Sequence, residues 1–378
     1  MFDVHKVNAQ LGDHDITIET GRIARQASGS VVISCGDSVV LVTAVAKPHR
    51  DDAHFFPLVV DYIEKQYAGG TIPGGFFKRE GKPSDLEILV ARLTDRPIRP
   101  LFPDGYKGDT QIIATVLSHD MEHDTDVMCI TGASAALTLS HAPFKGPIAG
   151  VRVCRVDGDL HANPTRQQRE RADLDIIMAC SRDAIVMVEG EADEVPEDEM
   201  LDALNFGFES VQRLIDAQLD LQEVAGKEKI TFESPAPDEA IADRVAELTE
   251  EKMVEALTVR TKFERYGALD ALKAEVVEEL AEEFEGQESE IKDAFDNRKS
   301  QVARDLALNE GKRIDGRGFK QVRPIDVEAG LLPRTHGSSL FTRGETQAIV
   351  TTTLGTGRDA RLIDAVTGKE DLNFMLHY

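Results

Sequence analysis

Basic residues are scarce in this chain of 378 residues: 43 Lys and Arg stand against 68 Asp and Glu, for a net charge of −25. Taken whole, that balance argues against a nucleic-acid-binding protein, because phosphate contacts need Lys and Arg. The distribution reverses the conclusion. Residues 187–310 hold 35 acidic and 13 basic side chains, so −22 of the charge sits there and only −3 elsewhere. Local sign, not net charge, decides what a nucleic-acid strand meets. Cysteine is sparse as well. Cys35, Cys129, Cys154 and Cys180 have no metal-ligand spacing, and most lie within apolar runs. They read as reduced, buried thiols of an intracellular protein, and no metal site is expected from them. Long apolar runs are missing too. The longest, near Val127–Leu139, is too short and too rich in Gly and Ser to span a bilayer. No signal peptide precedes Asp3-Val-His-Lys6, so the expectation is a soluble, cytoplasmic protein with no membrane partner.

The most informative stretch runs from Gly74 to Pro103. Gly74 and Gly75 lead into Phe76 and Phe77, then Lys78, Arg79 and Lys82. A loop cannot easily bury two adjacent rings, and rings beside cations suit single-stranded RNA, whose bases stack while its phosphates meet Lys and Arg. Ser84 and Glu87 have capping-box spacing and open a helix over 84–95. Leu86, Leu89, Val90 and Leu93 share one face of it; Arg92 and Arg96 lie four apart on another. Pro97 should end the helix near Asp95, with Arg99 in the exit turn. From residue types alone two readings stand: an RNA path, or a subunit contact through the phenylalanines with a solvated basic helix face.

The chain also resembles itself. With Gly29 laid on Gly337, a period of 308 residues, Gly29/Gly337, Ser30/Ser338, Gly36/Gly344, Val42/Val350 and Thr43/Thr351 are identical. Upstream, Glu19-Thr-Gly21 meets Glu328-Ala-Gly330 with a one-residue slip. Both copies read as β-hairpins turning at Gly-acid-hydroxyl, and so long a period means a duplicated domain. Copy one has room for strands near 14–20, 31–35, 38–46, 55–62, 111–118, 150–156, 173–180 and 184–190, and helices near 84–95, 126–140 and 197–223. The acidic block between the copies has helical periodicity with Glu-rich outer faces; its charge predicts that it does not touch RNA directly. Copy two is expected to stop inside a strand matching His54-Phe-Phe-Pro-Leu-Val, leaving that domain incomplete.

Other motifs carry less. His119 and His123 stand four apart among carboxylates, but loop-like flanks argue against a metal site. Thr335-His336-Gly-Ser338-Ser339 lacks a third group for an activated serine, and Gly355-Thr-Gly357-Arg358 lacks the Lys-Ser/Thr of a phosphate loop. Both read as turns.

The wording FFKREGKPSD and RLTDRPIRPLFP, followed by Arg313-Ile-Asp-Gly-Arg317 and LPRTHGSSLFTRGET (332–346), is similar over essentially the whole chain to the polynucleotide phosphorylase (polyribonucleotide nucleotidyltransferase) family. That resemblance implies an α+β fold of duplicated ribonuclease PH-like (ribosomal protein S5 domain 2-like) domains separated by an all-α helical domain. The divisions are 1–225 for the first, non-catalytic copy, 226–236 for a linker, 237–311 for the helical domain and 312–378 for the start of the second copy. It further implies processive 3′-to-5′ phosphorolysis of single-stranded RNA to nucleoside diphosphates, with inorganic phosphate as co-substrate and Mg²⁺ as cofactor. A homotrimeric ring is implied, with ribonuclease E as a partner in an RNA degradosome. RNA contacts would fall on Phe76, Phe77, Lys78, Arg79, Arg92, Arg96 and Arg99.

In the family the catalytic groups belong to copy two, as a serine-rich phosphate loop and an Asp-x-Lys strand, and would lie beyond Tyr378. The matching strand of copy one keeps Asp175 but has Ile177 in the lysine's place, with Arg169 near that of another aspartate. Asp124 and Asp126 replace the serines, and two carboxylates would repel phosphate. Neither a catalytic nor a metal residue is therefore expected within this chain. The alternative from another class is a non-catalytic RNA-binding scaffold of the exosome-core type.

Overall fold

The computed structural model describes residues 2–50, 55–74, 78–234, 236 and 238–377. The chain divides into two compact units, residues 1–234 with 360–378, and residues 235–359.

The first unit begins with strands β1 (His5–Leu11), β2 (His14–Thr20), β3 (Gly29–Cys35), β4 (Ser38–Ala46) and β5 (Leu58–Glu64), then helix α1 (Asp85–Ile98), strand β6 (Thr110–Ser118) and helix α2 (Thr125–Leu139). It continues through β7 (Ala149–Val156), β8 (Asp159–Ala162), the one-turn α3 (Arg166–Arg169), β9 (Leu174–Cys180), β10 (Ile185–Ala192), α4 (Glu197–Ser210) and α5 (Gln212–Ala225). One sheet has the order β1-β2-β3-β4-β6-β5, with β5 parallel to β6; a second, antiparallel sheet runs β10-β9-β7-β8. Helix α2 packs against β3 and β4 of the first sheet and β7 of the second, and every residue of it except Asp126 is buried. A helix apolar all round belongs inside a core, and this one is thinned to fit. A Cβ at Gly132 would come within 2.7 Å of Val42 Cγ2, so the glycine lets α2 lie close on the sheet. All four cysteines are buried and unpaired, and burial pushes each thiol up to about 12.

Helix α1 starts as its capping box dictates. Ser84 N–H donates to Glu87 Oε2 at 2.6 Å, and Glu87 N–H donates back to Ser84 Oγ at 3.1 Å. It does not stop before Pro97. Pro97 and Ile98 are buried in the last turn, where a proline removes only one terminal hydrogen bond, and Arg99 N–H closes the end on Asp95 O. The apolar face is also narrower than its spacing implies: Val90 and Leu93 are buried, whereas Leu86 and Leu89 are about half exposed. The helix expected over 197–223 is two helices, broken at the buried Val211.

The second unit holds helices α6 (Glu239–Thr249), α7 (Lys252–Leu257), α8 (Lys262–Leu280) and α9 (Glu288–Glu310) around Ile241, Val245, Met253, Leu272, Val276, Ile291 and Phe295. A meander follows, β11 (Ile325–Ala329), β12 (Gly337–Arg343) and β13 (Thr346–Thr352). Its register repeats copy one residue for residue. Gly29 pairs Ala44 and Cys35 pairs Ser38; 308 residues on, Gly337 pairs Thr352 and Arg343 pairs Thr346. The one-residue slip upstream holds too, with Glu19 opposite Val32 and Glu328 opposite Leu340. Copy one buries this hairpin under α2; β13 is exposed throughout. The remaining hairpin, β14 (Arg361–Ala365) and β15 (Gly368–Leu372), belongs to the first unit, where Val366 joins the core. The strand expected after it is not formed. In copy one β5 is held by β6, and residues 373–377 have no such partner among the described residues.

Candidate functional site

Two surfaces of the first unit carry the residues that the sequence singles out. The first is the segment between β5 and α1. Glu80 anchors it, accepting from Gln66 N–H at 2.7 Å and pairing with Lys65 at 3.1 Å, while Glu87 Oε1 accepts from Glu64 N–H at 2.9 Å. The later part of the segment and the first turn of α1 are thus fastened to the end of β5. Phe76 and Phe77 lie outside the described residues. Lys78 is exposed in the left-handed region, at φ 48°, and Arg79 is exposed beside it. Arg92 is exposed on α1, and neither it nor Lys78 or Arg79 makes an ion pair among the described residues. Arg96 pairs with Glu189 of β10. Arg99 is more deeply engaged: it meets Asp95 Oδ1 at 2.8 Å, donates to the carbonyls of Phe56 and Leu58 at 3.2 and 3.1 Å, and lies over the Phe56 ring. It fastens the end of α1 to the start of β5.

The second surface is a cleft of about 600 Å³ lined by the ends of β5, β9 and β10, by α3 and by the start of α2. At its base Asp124, Asp126, Arg169 and Asp175, each singled out by the sequence, come together around a residue that sequence reasoning missed, Arg152 on β7. Arg152 Nη2 donates to Asp126 and Nη1 to Asp175, each at 2.5 Å, and Nε stands 3.3 Å from Asp124. Arg169 bridges Asp175 at 2.7 Å and Asp124 at 3.0 Å. Burial, then the charge of Asp126, pushes the Asp124 carboxyl up. Burial works against the Arg152 cation, but Asp126, Asp124 and Asp175 outweigh it and push its proton affinity higher still. Above the cluster, Tyr62 Oη bonds Glu64 at 2.7 Å and Thr125 Oγ1 at 2.6 Å; burial and the Glu64 charge push the phenol well up.

This constellation is already satisfied internally. Three carboxylates share two guanidiniums, and the rim adds Glu64, Glu170, Asp173, Glu191 and Asp193 against one further cation, Arg166, which stands 3.6 Å from Glu170. An attacking phosphate would meet carboxylates where it needs donors, and a divalent cation would have to displace Arg152 and Arg169 from their partners. The residues present fit neither phosphate nor Mg²⁺. Ile177 stands two residues from Asp175 on the same face of β9, partly buried, and brings no proton-carrying group to the cleft.

A signal for Arg152 exists in the sequence. A charged residue in the apolar run Ala149-Gly-Val-Arg-Val-Cys can be buried only with partners, although nothing in the sequence says which carboxylates they are. Spacing pairs His123 with His119, but the structure gathers it instead with His14 and Cys35.

Residues 13–143 and 321–378 match the family model for the 3′ exoribonuclease family, domain 1, and residues 146–210 match that family's domain 2. Residues 240–318 match the model for the polyribonucleotide nucleotidyltransferase RNA binding domain. That description runs against the expectation that the acidic block does not touch RNA. The chain is 53% identical over 376 residues to a polyribonucleotide nucleotidyltransferase of Citrifermentans bemidjiense, and 52% identical to those of Syntrophotalea carbinolica and Geobacter sulfurreducens. Each match covers 99% of this chain and 54% of the relative, so the chain spans about half the length of the curated relatives it matches. Among solved structures, rice (Oryza sativa) Rrp46 aligns with a TM-score of 0.44 at 14% identity, over 56% of this chain and 94% of that one.

Proposed function

Because this chain belongs to the 3′ exoribonuclease family, as a polyribonucleotide nucleotidyltransferase with ribonuclease PH-like parts flanking a helical domain, we propose that it is the RNA-guiding portion of a processive 3′-to-5′ phosphorolytic exoribonuclease. The substrate is single-stranded RNA, inorganic phosphate is the co-substrate, and nucleoside diphosphates are released. The residues that hold phosphate and Mg²⁺ belong to the length of the relatives that this chain does not span. The domain divisions at 225, 237 and 312, a cytoplasmic location, a homotrimeric ring and a ribonuclease E contact are part of the same reading. The half-exposed Leu86 and Leu89 on α1 support burial against another copy.

One observation carries the division of labour. In the cleft the basic groups are consumed by carboxylates, whereas Lys78, Arg79 and Arg92 stand outside it, exposed and without ion pairs among the described residues. A 3′ end moving past the first unit therefore meets Lys78 and Arg79 on the loop and Arg92 on α1, with Phe76 and Phe77 supplying stacking faces, while Arg96 and Arg99, paired with Glu189 and Asp95, hold α1 in place beside that path. Within the acidic block, Phe263 and Tyr266 stand exposed beside Arg260 and Lys262 at the start of α8. We place that block's RNA contact there, away from its Glu-rich faces. Photocrosslinking single-stranded RNA to the full-length protein should give adducts in 74–103 and 260–266. Adducts concentrated in 275–290, with few in 74–103, would reverse the assignment.

A further inference from the structure

At the turn between β3 and β4, remote in sequence from one another, His14, Cys35 and His123 bring a ring nitrogen each and a sulfur to within 4.8 Å of one another. His14 opens β2, Cys35 closes β3, and His123 lies in the loop before α2. Cys35 is fully buried and the two rings are partly so. The rings meet edge to face, and His123 Nε2 stands 3.2 Å from His14 Nδ1.

The hydrogen bonds around them define which atoms are available. Asp120 is surrounded by donors: Asp37 N–H at 3.1 Å, Ser38 Oγ at 3.0 Å, and Glu122 N–H and His123 N–H at 2.9 Å each. It accepts from His123 Nδ1 at 2.7 Å, so Nδ1 carries the proton and Nε2 presents a lone pair toward His14. A carboxylate fixing one histidine nitrogen so that the other can ligate is the usual second layer of a metal site. The backbone makes room for it. Gly36 sits at φ +55°, and a Cβ there would fall 2.7 Å from Asp120 Oδ2 and 2.9 Å from His123 Nδ1.

Two states satisfy this geometry: a proton shared between the rings, or a cation bound by both. The third donor decides between them, because a proton has no use for a sulfur placed beside the same two nitrogens. We propose that His14 Nδ1, His123 Nε2 and Cys35 Sγ form a binding site for one divalent transition ion of the zinc class. For metal–nitrogen bonds of 2.0–2.1 Å a tetrahedral site has an N···N edge of about 3.3 Å, which the 3.2 Å separation already matches. Two imidazoles with a thiolate suit borderline-soft ions and are a poor set for Mg²⁺ or Ca²⁺. A cavity of about 10 Å³ beside Cys35 and His123 has room for about one water as the fourth ligand. Arg152 also lines that cavity, but its charge is matched by Asp124, Asp126 and Asp175.

Co²⁺ added under anaerobic conditions to the chelator-stripped chain tests this by its optical spectrum. Expected are one equivalent bound, a thiolate-to-metal charge-transfer band, tetrahedral d–d bands, and displacement of the ion by Zn²⁺. Cys35→Ser should remove the charge-transfer band, His123→Asn the tetrahedral bands, and Cys180→Ser neither. Asp120→Asn should weaken binding about 10–100-fold, as removal of such outer carboxylates does. A wild-type chain whose Co²⁺ spectrum stays that of the hydrated ion overturns the proposal without recourse to any variant. So does a charge-transfer band that survives Cys35→Ser.

Discussion

Replacing Arg152 with Met should cost this chain about 3–5 kcal/mol of stability at neutral pH, the range for breaking a buried ion pair from one side. The guanidinium is 5% exposed and is the group that Asp124, Asp126 and Asp175 share. Without it, three carboxylates remain in a pocket where burial already pushes Asp124 up. The pH dependence follows in sign. A carboxyl whose folded pKa lies above its unfolded value binds more protons when folded in the interval between the two, so stability there falls as pH rises. Removing Arg152 enlarges that interval, so the deficit of Arg152→Met should shrink as pH is lowered toward the ordinary carboxylate range. Arg169→Gln should cost less, because its side chain is 40% exposed. Urea unfolding at pH 7 and pH 5 measures both. A deficit below about 1 kcal/mol, or one independent of pH, would show that the cluster is not organised by Arg152.

The second large effect is on RNA. In the full-length protein, Phe76→Ala with Phe77→Ala should remove stacking worth roughly 1–3 kcal/mol per base contacted, slowing the proposed degradation of long RNAs. Lys78→Ala and Arg79→Ala should instead flatten the salt dependence of binding, since a phosphate that meets no protein cation keeps its counterion. Oligonucleotides too short to span the loop and the active site together should be degraded at near wild-type rates. Wild-type binding and degradation of long RNAs by the double Phe variant would make the loop a subunit contact.

Local chemistry is the legible part of this chain. Ser84 and Glu87 announce the start of α1 because a capping box is made within four residues, and the hairpin duplication is visible because register follows side-chain alternation. Asp124, Asp126, Arg169 and Asp175 can be picked out one by one, through their correspondence to a catalytic copy. Assembly is what the sequence hides. Arg152 gathers those residues only because β7 lies beside β9, and the His14–Cys35–His123 cluster exists only because the start of β2, the end of β3 and the loop before α2 meet. Spacing rules for metal ligands look along the chain, and these donors are 21 and 88 residues apart. Pro97 departs from expectation for a related reason: tertiary burial of the last turn of α1 outweighs the local preference to stop.

The most direct measurement is phosphorolysis by this chain itself. Purified free of host enzyme and given poly(A), inorganic phosphate and Mg²⁺, it should release no nucleoside diphosphate, while the full-length protein does so under the same conditions. The cleft of the first unit is then a structural ion cluster, with Asp124, Asp126 and Asp175 held by Arg152 and Arg169. Release of nucleoside diphosphates by the 378-residue chain, abolished by Asp175→Asn, would contradict this and make that cleft a catalytic centre.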